Sequence, residues 1–454
     1  MQVVYRRCCG IDVHKDSVTA TILVFPDEGE REMRTQQFGT HWKELQRLAQ
    51  WLRSSKVEKV AMESTGVYWK PVWNVLERTL SLILANPYQV KNIPSRKTDR
   101  KDSEWLADLL AHGLIRPSFV PAPEIRDLRD LTRYRVKLTS EYNRTHNRLH
   151  KVLEDANLKL DTVLSDLMGA SGRAMVKSII AGQTDPGWLA DYAKGSLRGK
   201  REELELVLRG NIRDHHRYLL SELMADLDFI TEKILRVEAE IARRMESYLD
   251  QVTRLCTIPG VDVLTAWTLI AELGPDMSVF PSAAHAASWA GLCPGNRESA
   301  GKRLGNRTKK GNRWLRRALC QAAWGLSHKK DCYLTALFLR RAAKSGVKKA
   351  IIATAHQLLV IAYCLLRDRS EYRELGGGFR PAQPHTHSEP SSPPIGTSWL
   401  AGHSQACPPP HHITGHPTSQ ATPWSTLQVS STRNPLQTQA TINALFRRTR
   451  SKRR

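Results

Sequence analysis

The first 120 residues alternate between short β-branched runs and segments with helical periodicity. Residues 3–13 and 17–24 are apolar, β-branched runs separated by His14-Lys15-Asp16, which predicts a β-hairpin. The pattern then predicts, in order, a helix over 41–52, a strand over 59–62, a helix over 66–80, a strand over 82–85 and a helix over 98–112. We therefore expect an α/β domain over residues 1–122, in which a hairpin precedes two strand–helix units.

Two long amphipathic segments follow, and they predict a helical, coiled-coil-like middle region over 123–250. The first runs from residue 123 to about 158 and would be ~50 Å long as a helix. In the second, over 220–249, apolar residues recur every seven positions from Leu220 to Tyr248. Such a seam fits an antiparallel pair within one chain or a coiled coil between two chains, and the pattern does not choose between them.

The remaining sequence predicts a mainly α domain over 251–370 and a tail without a core. Residues 255–273 form a helix–turn–helix pattern around Ile258-Pro259-Gly260-Val261, a turn that also resembles a phosphate-binding helical hairpin. Residues 350–366 are apolar enough for a core helix. Eleven of the 23 prolines lie in residues 376–454, where Glu389 is the only acid, so this segment is predicted to be disordered.

Charge indicates the class of partner. The 68 Lys and Arg residues exceed the 45 Asp and Glu residues, for a net charge of +23, which favours a polyanion such as nucleic acid. Ribosomal, chromatin and membrane-surface proteins share this balance. The eight cysteines contain no CxxC pair, so neither a zinc ribbon nor a disulfide framework is expected. We expect no signal peptide and no segment with the ~20 apolar residues of a membrane span, and hence a cytoplasmic, nucleoid-associated protein.

Four acidic residues occupy positions typical of a metal site. Asp12 and Glu63 end two predicted buried strands, and Asp99 and Asp102 lie three apart on one predicted helix. The order of these elements is that of a ribonuclease-H-like sheet, and carboxylates are the ligands that Mg²⁺ prefers. Two Mg²⁺ ions held by this set would suit phosphodiester chemistry. The alternative is local pairing with Lys15, Lys97, Arg100 and Lys101, and Glu104 and Asp108 are rivals for the fourth position.

Two basic segments are candidate nucleic-acid contacts. The first follows one face of the helix predicted from residue 123, and the second surrounds residues 291–317. Their members are Arg126, Arg129, Arg133, Lys137, Arg144 and Arg148, and then Lys302, Arg303, Lys309, Lys310 and Arg313. A run of cations with few interleaved acids suits the phosphate backbone, although a solvated helix face has the same appearance.

Ser299 lies in the second segment, in a Gly/Asn-rich loop before a helix predicted to begin near Asn312. A serine among cations and free amides could attack phosphorus, and a phosphoserine ester would conserve the energy of the broken bond. By composition alone, a loop serine is far more often a polar turn residue.

A family resemblance changes this balance. Gly10-Ile11-Asp12-Val13-His14, Met62-Glu63-Ser64-Thr65-Gly66 and Lys97-Thr98-Asp99-Arg100-Lys101-Asp102 resemble the DEDD domain of IS110 family transposases of bacterial insertion sequences. Ala290-Gly291-Leu292-Cys293-Pro294, Ser299-Ala300-Gly301-Lys302 and Lys310-Gly311-Asn312 resemble the family's C-terminal transposase domain. The resemblance covers about residues 5–370, and the tail after Gly376 does not match the family pattern.

The resemblance implies a RuvC-like domain whose metal-binding acids are Asp12, Glu63, Asp99 and Asp102, with Ser299 as the nucleophile. It also implies donor and target DNA, a structured bridge RNA as guide, and a homo-oligomer, dimer or tetramer, that combines metal and serine sites from different subunits. We therefore expect a DNA transposase. Its rivals are a Holliday-junction-type nuclease that uses water, and a non-catalytic nucleic-acid scaffold.

Overall fold

The computed structural model describes residues 2–64, 66–87, 90, 102–295, 297–299, 302–305, 307–308 and 310–378. The chain divides into two units, Met1–Ala122 and Pro123–Arg454. Beyond residue 378, the tail predicted to be disordered lies outside the described residues.

The first unit is built on a five-stranded sheet. Its strands are β1 (Arg7–Val13), β2 (Ser17–Val24), β3 (Glu32–Gly39), β4 (Lys59–Glu63) and β5 (Leu82–Ala85), in the spatial order β3-β2-β1-β4-β5. The hairpin β1–β2 and the pair β2–β3 are antiparallel, whereas β1, β4 and β5 are parallel. Its helices are α1 (Trp42–Ser54), α2 (Trp69–Leu76) and α3, whose described part is Asp102–Ala111. The predicted α/β sheet is confirmed.

Strand β3 was not predicted from the sequence. It is an edge strand, and most of its side chains are exposed, so it lacks the apolar alternation by which a half-buried strand is found. Two predicted bounds were also wrong: β1 begins at Arg7 instead of residue 3, and α2 spans Trp69–Leu76 instead of 66–80. Apolar spacing continues into flanking turns, where it does not mark the ends of an element.

The sheet separates two apolar clusters, because successive side chains of a strand point to opposite faces. Cys9, Ile11 and Val13 face α1 and α2 in one cluster. Cys8 belongs to the other cluster, with Ala61 of β4 and Leu106 of α3. Alternation along β1 therefore places Gly10 and Asp12 on the α3 side of the sheet.

Two long antiparallel helices begin the second unit. They are α4 (Pro123–Asp155) and α8 (Asp214–Arg244), and between them lie α5 (Ala170–Ile180), α6 (Pro186–Ala190) and α7 (Arg201–Val207). An ion pair joins Asp127 to Arg244 near one end, and a hydrogen bond joins Asp155 to His216 near the other. The apolar seam of α8 is thus packed within one chain, and a coiled coil between chains is not confirmed. Helix α8 ends at Arg244, before the predicted residue 249.

Shorter helices complete the described part of the second unit. They are α9 (Leu249–Cys256), α10 (Val263–Leu273), α11 (Ala283–Trp289), α12 (Arg313–Leu326), α13 (Tyr333–Ser345) and α14 (Val347–Asp368), with a hairpin of β6 (Arg297–Ser299) and β7 (Lys302–Gly305) before α12. This mostly helical region agrees with the prediction.

Helix α14 corrects one expectation from the sequence. It is 22 residues long and contains an 18-residue stretch with a mean hydropathy of 1.7, so by length and composition alone α14 is apolar enough to cross a membrane, contrary to the expectation that no segment would be. Within the described chain, Ala355, Leu358, Leu359 and Ala362 are fully buried, and the Tyr363 hydroxyl donates to the Phe280 carbonyl at 2.9 Å. This burial accounts for the apolar composition of α14 as a core helix.

Candidate active site

Asp12 and Glu63 are neighbours at the ends of two parallel strands. Ile11 of β1 pairs with Met62 of β4, so the next residues, Asp12 and Glu63, lie side by side. Both project from the α3 face of the sheet, on the same side as Ala61. The Asp12 side chain is 25% exposed, and Glu63 is half-buried. The two carboxylates therefore lie next to each other at the ends of β1 and β4.

Helix α3 approaches β1 at Gly10. An ideal Cβ on Gly10 would lie under 3.0 Å from the Ser103 carbonyl oxygen, the Ala107 nitrogen and the Leu106 Cβ. The Ser103 hydroxyl is also 2.9 Å from the Thr21 hydroxyl of β2. The first described turns of α3 therefore pack directly against β1 at Gly10, which is two residues from Asp12. Asp102, the residue before Ser103, is exposed in the first turn of this helix.

The fourth predicted acid, Asp99, lies outside the described residues. In the part of the chain that the structure describes, no group of three or more His, Cys, Asp and Glu side chains is placed to hold a metal ion. His14 Nε2 lies 2.9 Å from Asp12 Oδ2, so the described local partner of Asp12 is a histidine and not Lys15. Asp108, a rival for the fourth position, pairs with Arg31 at 3.1 Å.

The donor set nevertheless fits a divalent cation. Two neighbouring carboxylates and a third in the first turn of α3 are hard oxygen ligands, which Mg²⁺ prefers. Gly10 leaves no room between strand and helix, so the helix that carries Asp102 lies as near to β1 as its backbone allows.

Sequence reasoning missed the hydroxyl groups beside these acids. Thr19 lies opposite Asp12 in the β1–β2 register and is half-buried. The Thr21 hydroxyl is within hydrogen-bond distance of both Thr35 and Ser103, at 3.0 and 2.9 Å. The signal was the alternation of threonines at 19 and 21 within an otherwise apolar strand.

The structure corrects the setting predicted for Ser299. Ser299 ends β6 and pairs with Lys302 of β7, so it lies on a short β-hairpin and not in an irregular loop. Residues 300–301 and Lys309 lie outside the described residues, as do the side chains of Ser299, Lys302 and Arg303. Lys310 and Arg313 are exposed, and the Arg313 guanidinium is 4.8 Å from the centre of the Trp314 ring.

The cations predicted on one face of α4 divide into two groups. Lys137, Arg144 and Arg148 are exposed, and Arg126 is half-buried. In contrast, Arg129 and Arg133 point into the protein and pair with Glu272, whose side chain is fully buried. Burial lowers the pKa of Arg129 to about 10. The single basic face drawn from the sequence is therefore wrong at these two positions.

The turn at Pro259-Gly260 has a packing explanation. Gly260 has φ +86°, and a Cβ there would lie 2.9 Å from the Ala322 carbonyl oxygen of α12. The glycine thus lets the α9–α10 turn contact α12, and its described surroundings are protein atoms.

Comparison with protein families identifies the chain. A family model of the IS110 DEDD class, described as "Transposase", matches residues 9–158. A second, described as "Transposase IS116/IS110/IS902 family", matches residues 252–338. The chain belongs to the IS110 family of transposases. The first matched region contains Asp12, Glu63 and Asp102, and the second contains Ser299.

Curated proteins similar to this IS110 transposase come from several bacteria. The "Insertion element IS110 uncharacterized 43.6 kDa protein" of Streptomyces coelicolor is 28% identical over 309 residues, which is 61% of this chain and 72% of the relative. The "Putative transposase y4pF/y4sB" of Sinorhizobium fredii is 33% identical over 27% of this chain and 33% of its own. The "Pilin gene-inverting protein" of Moraxella bovis is 28% identical over 38% of this chain and 52% of its own.

Among solved structures, Thermus thermophilus RuvC aligns with 25% of this chain and 99% of its own, at 15% identity and a TM-score of 0.20. From the family models and relatives, the chain is an enzyme of the transposase and recombinase class and acts on DNA. Its DEDD domain indicates dependence on a divalent metal.

Proposed function

We propose that this transposase cleaves and rejoins DNA strands with two groups of residues that lie far apart in its sequence. Asp12, Glu63, Asp99 and Asp102 hold Mg²⁺, as two ions, and the Ser299 hydroxyl is the nucleophile. The observation that carries the proposal is the juxtaposition of Asp12 and Glu63 on adjacent strand ends, facing the helix whose described part starts at Asp102.

The residues of the chain divide the chemistry between them. When bound, Mg²⁺ supplies charge stabilisation to the phosphate oxygens of the reacting DNA. The Ser299 Oγ loses its proton and bonds to phosphorus, the bond from phosphorus to one strand oxygen breaks, and that oxygen takes up a proton. The phosphoserine ester conserves the energy of the broken bond, so a strand hydroxyl can displace Ser299 and rejoin the DNA without ATP.

A relative favours recombination over simple cleavage. The Moraxella bovis protein is described as inverting a pilin gene, a rearrangement in which strands are rejoined as well as cut. We carry this over to the chain as part of the proposal. The Holliday-junction nuclease and the scaffold are then outcomes of the test.

The nucleic-acid partners fit the exposed cations. Lys137, Arg144 and Arg148 lie exposed on α4, and Lys310 and Arg313 lie exposed beside the β6–β7 hairpin. With a net charge of +23, these surfaces suit donor and target DNA and a structured guide RNA. Metal and serine sites from different subunits of a dimer or tetramer would complete the reacting centre.

The experiment compares strand transfer between donor and target plasmids for wild type, Ser299→Ala, Asp12→Asn and Glu63→Gln. We expect each variant to lose at least about 10³-fold in recombinant product, because each removes either the nucleophile or a carboxylate that holds the metal. Ser327→Ala, at a half-buried serine of the same unit, and Asp27→Asn, at an exposed acid of the first unit, are the matched controls.

Each rival has its own outcome. Ser299→Ala that still transfers strands would replace the serine mechanism with direct attack by water or a strand hydroxyl. If Asp12→Asn and Glu63→Gln both retained full activity, the metal-site hypothesis would fail and the non-catalytic nucleic-acid scaffold would become the favoured alternative.

A further inference from the structure

A fully buried carboxylate lies at the junction of three helices in the second unit. Glu272, near the end of α10, has 0% of its side chain exposed. Arg133 of α4 donates to both of its oxygens, from Nε at 2.7 Å and from Nη2 at 2.8 Å. Arg129 Nε lies 3.3 Å from the carboxylate, and its Nη2 donates to the Glu272 carbonyl at 2.8 Å. Asn312 Nδ2 donates to the same carboxylate at 2.6 Å.

Packing alone does not account for Glu272. Replacing a buried ion pair by apolar residues of similar volume is often neutral or stabilising, because the charges no longer have to be desolvated. What a carboxylate adds is direction, since its two oxygens accept only from donors in defined positions. One of those donors is Asn312, which is not part of the ion pair. Asn312 also lies at the base of the β6–β7 hairpin that carries Ser299.

Asn312 joins this network to the stem of the β6–β7 hairpin, by which we mean the described residues of the two flanking segments, 289–295 and 307–312. The Asn312 Oδ1 accepts from the backbone amides of Trp314 and Leu315 and so caps α12. The backbone N–H of Asn312 donates to the Trp289 carbonyl at 3.2 Å. The residue before it, Gly311, lies against the other side of the stem, because a Cβ there would be under 3.0 Å from the Gly291 nitrogen and the Ala290 carbonyl carbon.

The hairpin extends from this stem. Pro294 and Thr308 form a β-bridge, and the Gly295 amide donates to the Arg307 carbonyl at 3.1 Å. Ser299 lies five residues beyond Pro294, a span of at most about 18 Å. A tilt of roughly 10° at the stem would move Ser299 by up to about 3 Å, and misplacement of about 1 Å can lower a catalysed rate about 100-fold.

We propose that Glu272 is a positioning residue for Ser299: its buried carboxylate fixes Asn312, which fixes the direction of the hairpin that carries the serine. Arg129 and Arg133 neutralise the carboxylate, and they leave the Asn312 amide as its remaining described donor. This inference rests on the proposed role of Ser299 as the nucleophile.

Two substitutions weaken the link in different ways. Asn312→Ser keeps an oxygen that can cap α12 but removes the Nδ2 donor to Glu272. Glu272→Gln keeps one accepting oxygen but turns an NH2 donor towards the donors of Arg133 or Asn312, so the side chain can no longer accept all three hydrogen bonds. The control is Glu238→Gln, which also breaks an α4 arginine pair, Arg135 Nε to Glu238 Oε1 at 2.7 Å, away from the hairpin.

The full chain is measured in three ways: hydrogen exchange of peptides over residues 294–308, covalent adduct formation at saturating DNA, and DNA affinity. We expect Asn312→Ser and Glu272→Gln to speed exchange of the stem amides at least 10-fold and to slow adduct formation at least about 100-fold. The Kd for DNA should change less than threefold, and Glu238→Gln should match wild type in all three measurements. Asn312→Ser keeps the test valid if Glu272→Gln does not fold.

Three results would count against the proposal or its basis. Unchanged stem exchange in both variants overturns the proposal, and so does faster exchange with an adduct rate within threefold of wild type. If wild type cleaves DNA without any serine adduct, the proposed function fails. The exchange data then decide separately whether Glu272 holds the stem.

Discussion

The close approach of α3 to β1 makes Gly10→Ala a direct test of how the acidic cluster is built. The added Cβ would lie under 3.0 Å from two backbone atoms and one side-chain carbon of α3, against an ordinary separation of about 3.5–4.0 Å. Backbone atoms in a helix interior cannot rotate away, so α3 has to move outward by about 1 Å. The Thr21–Ser103 hydrogen bond and Asp102 move with the helix.

Overpacking of this kind typically costs about 1–3 kcal/mol. For a unit of this size that lowers Tm by roughly 4–12 °C. Because Asp102 also moves relative to Asp12 and Glu63, we expect metal-dependent DNA cleavage to fall by about 100-fold or more at a temperature where the variant stays folded.

Calorimetry and a DNA cleavage assay measure the two effects. Gly199→Ala is the control, because a Cβ at Gly199 would meet no atom within 4 Å. A Gly10→Ala variant that melts within about 2 °C of wild type and cleaves DNA normally would refute the placement of α3 on β1.

Three further predictions concern separate parts of the chain. Burial raises the pKa of the Cys8 thiol from 9.0 to about 12, so the folded state disfavours the thiolate and stability falls as pH rises above 9. Between pH 9 and 12 the unfolding free energy of Cys8→Ser should therefore fall less steeply than that of wild type, by about 1.4 kcal/mol per pH unit. Changing Lys137, Arg144 and Arg148 together to Gln should reduce the slope of log K against log salt for duplex DNA by up to about 2.7. Gly311→Ala should slow serine-adduct formation at least about 10-fold, because its Cβ overlaps the Ala290–Gly291 backbone.

Each of these predictions has a control and a contradicting result. An equal pH slope in Cys8→Ser and wild type would show that Cys8 titrates freely in the folded state. Arg236→Gln, an exposed cation of α8, is the control for the α4 variant, and an unchanged salt slope in the triple variant would exclude this face from the interface. Gly325→Ala, where a Cβ meets nothing within 4 Å, is the control for Gly311→Ala, and equal adduct rates in these two variants would contradict the stem geometry.

The sequence predicted the first unit best where local pattern and chemistry agree. The apolar run Val60-Ala61-Met62 ends in Glu63, and Ile11 precedes Asp12, so each acid could be assigned to the end of a buried strand. The register of β1 against β4, and the common face of the two acids, are seen only in the structure, because the residues of one strand do not determine how it pairs with another.

Long-range partners set the limit of sequence reasoning. Arg129 and Arg133 follow the same spacing as the exposed cations of α4, and only the fold places Glu272, about 140 positions later, against them. The sequence similarly predicts a loop at Ser299, because β6 is three residues long and lies among Gly and Asn. Short strands of this kind are defined by their pairing and carry little periodicity of their own.

In the proposed mechanism, Ser299 attacks DNA with the help of a metal held by Asp12 and Glu63. The most direct measurement is to trap the protein with a DNA substrate in Mg²⁺ and map the cross-linked peptide by mass spectrometry. We expect a DNA adduct on Ser299 that is lost in Asp12→Asn, in Glu63→Gln and on chelation of the metal. Cleaved DNA without any adduct, or an adduct that persists in both acid variants, would contradict it.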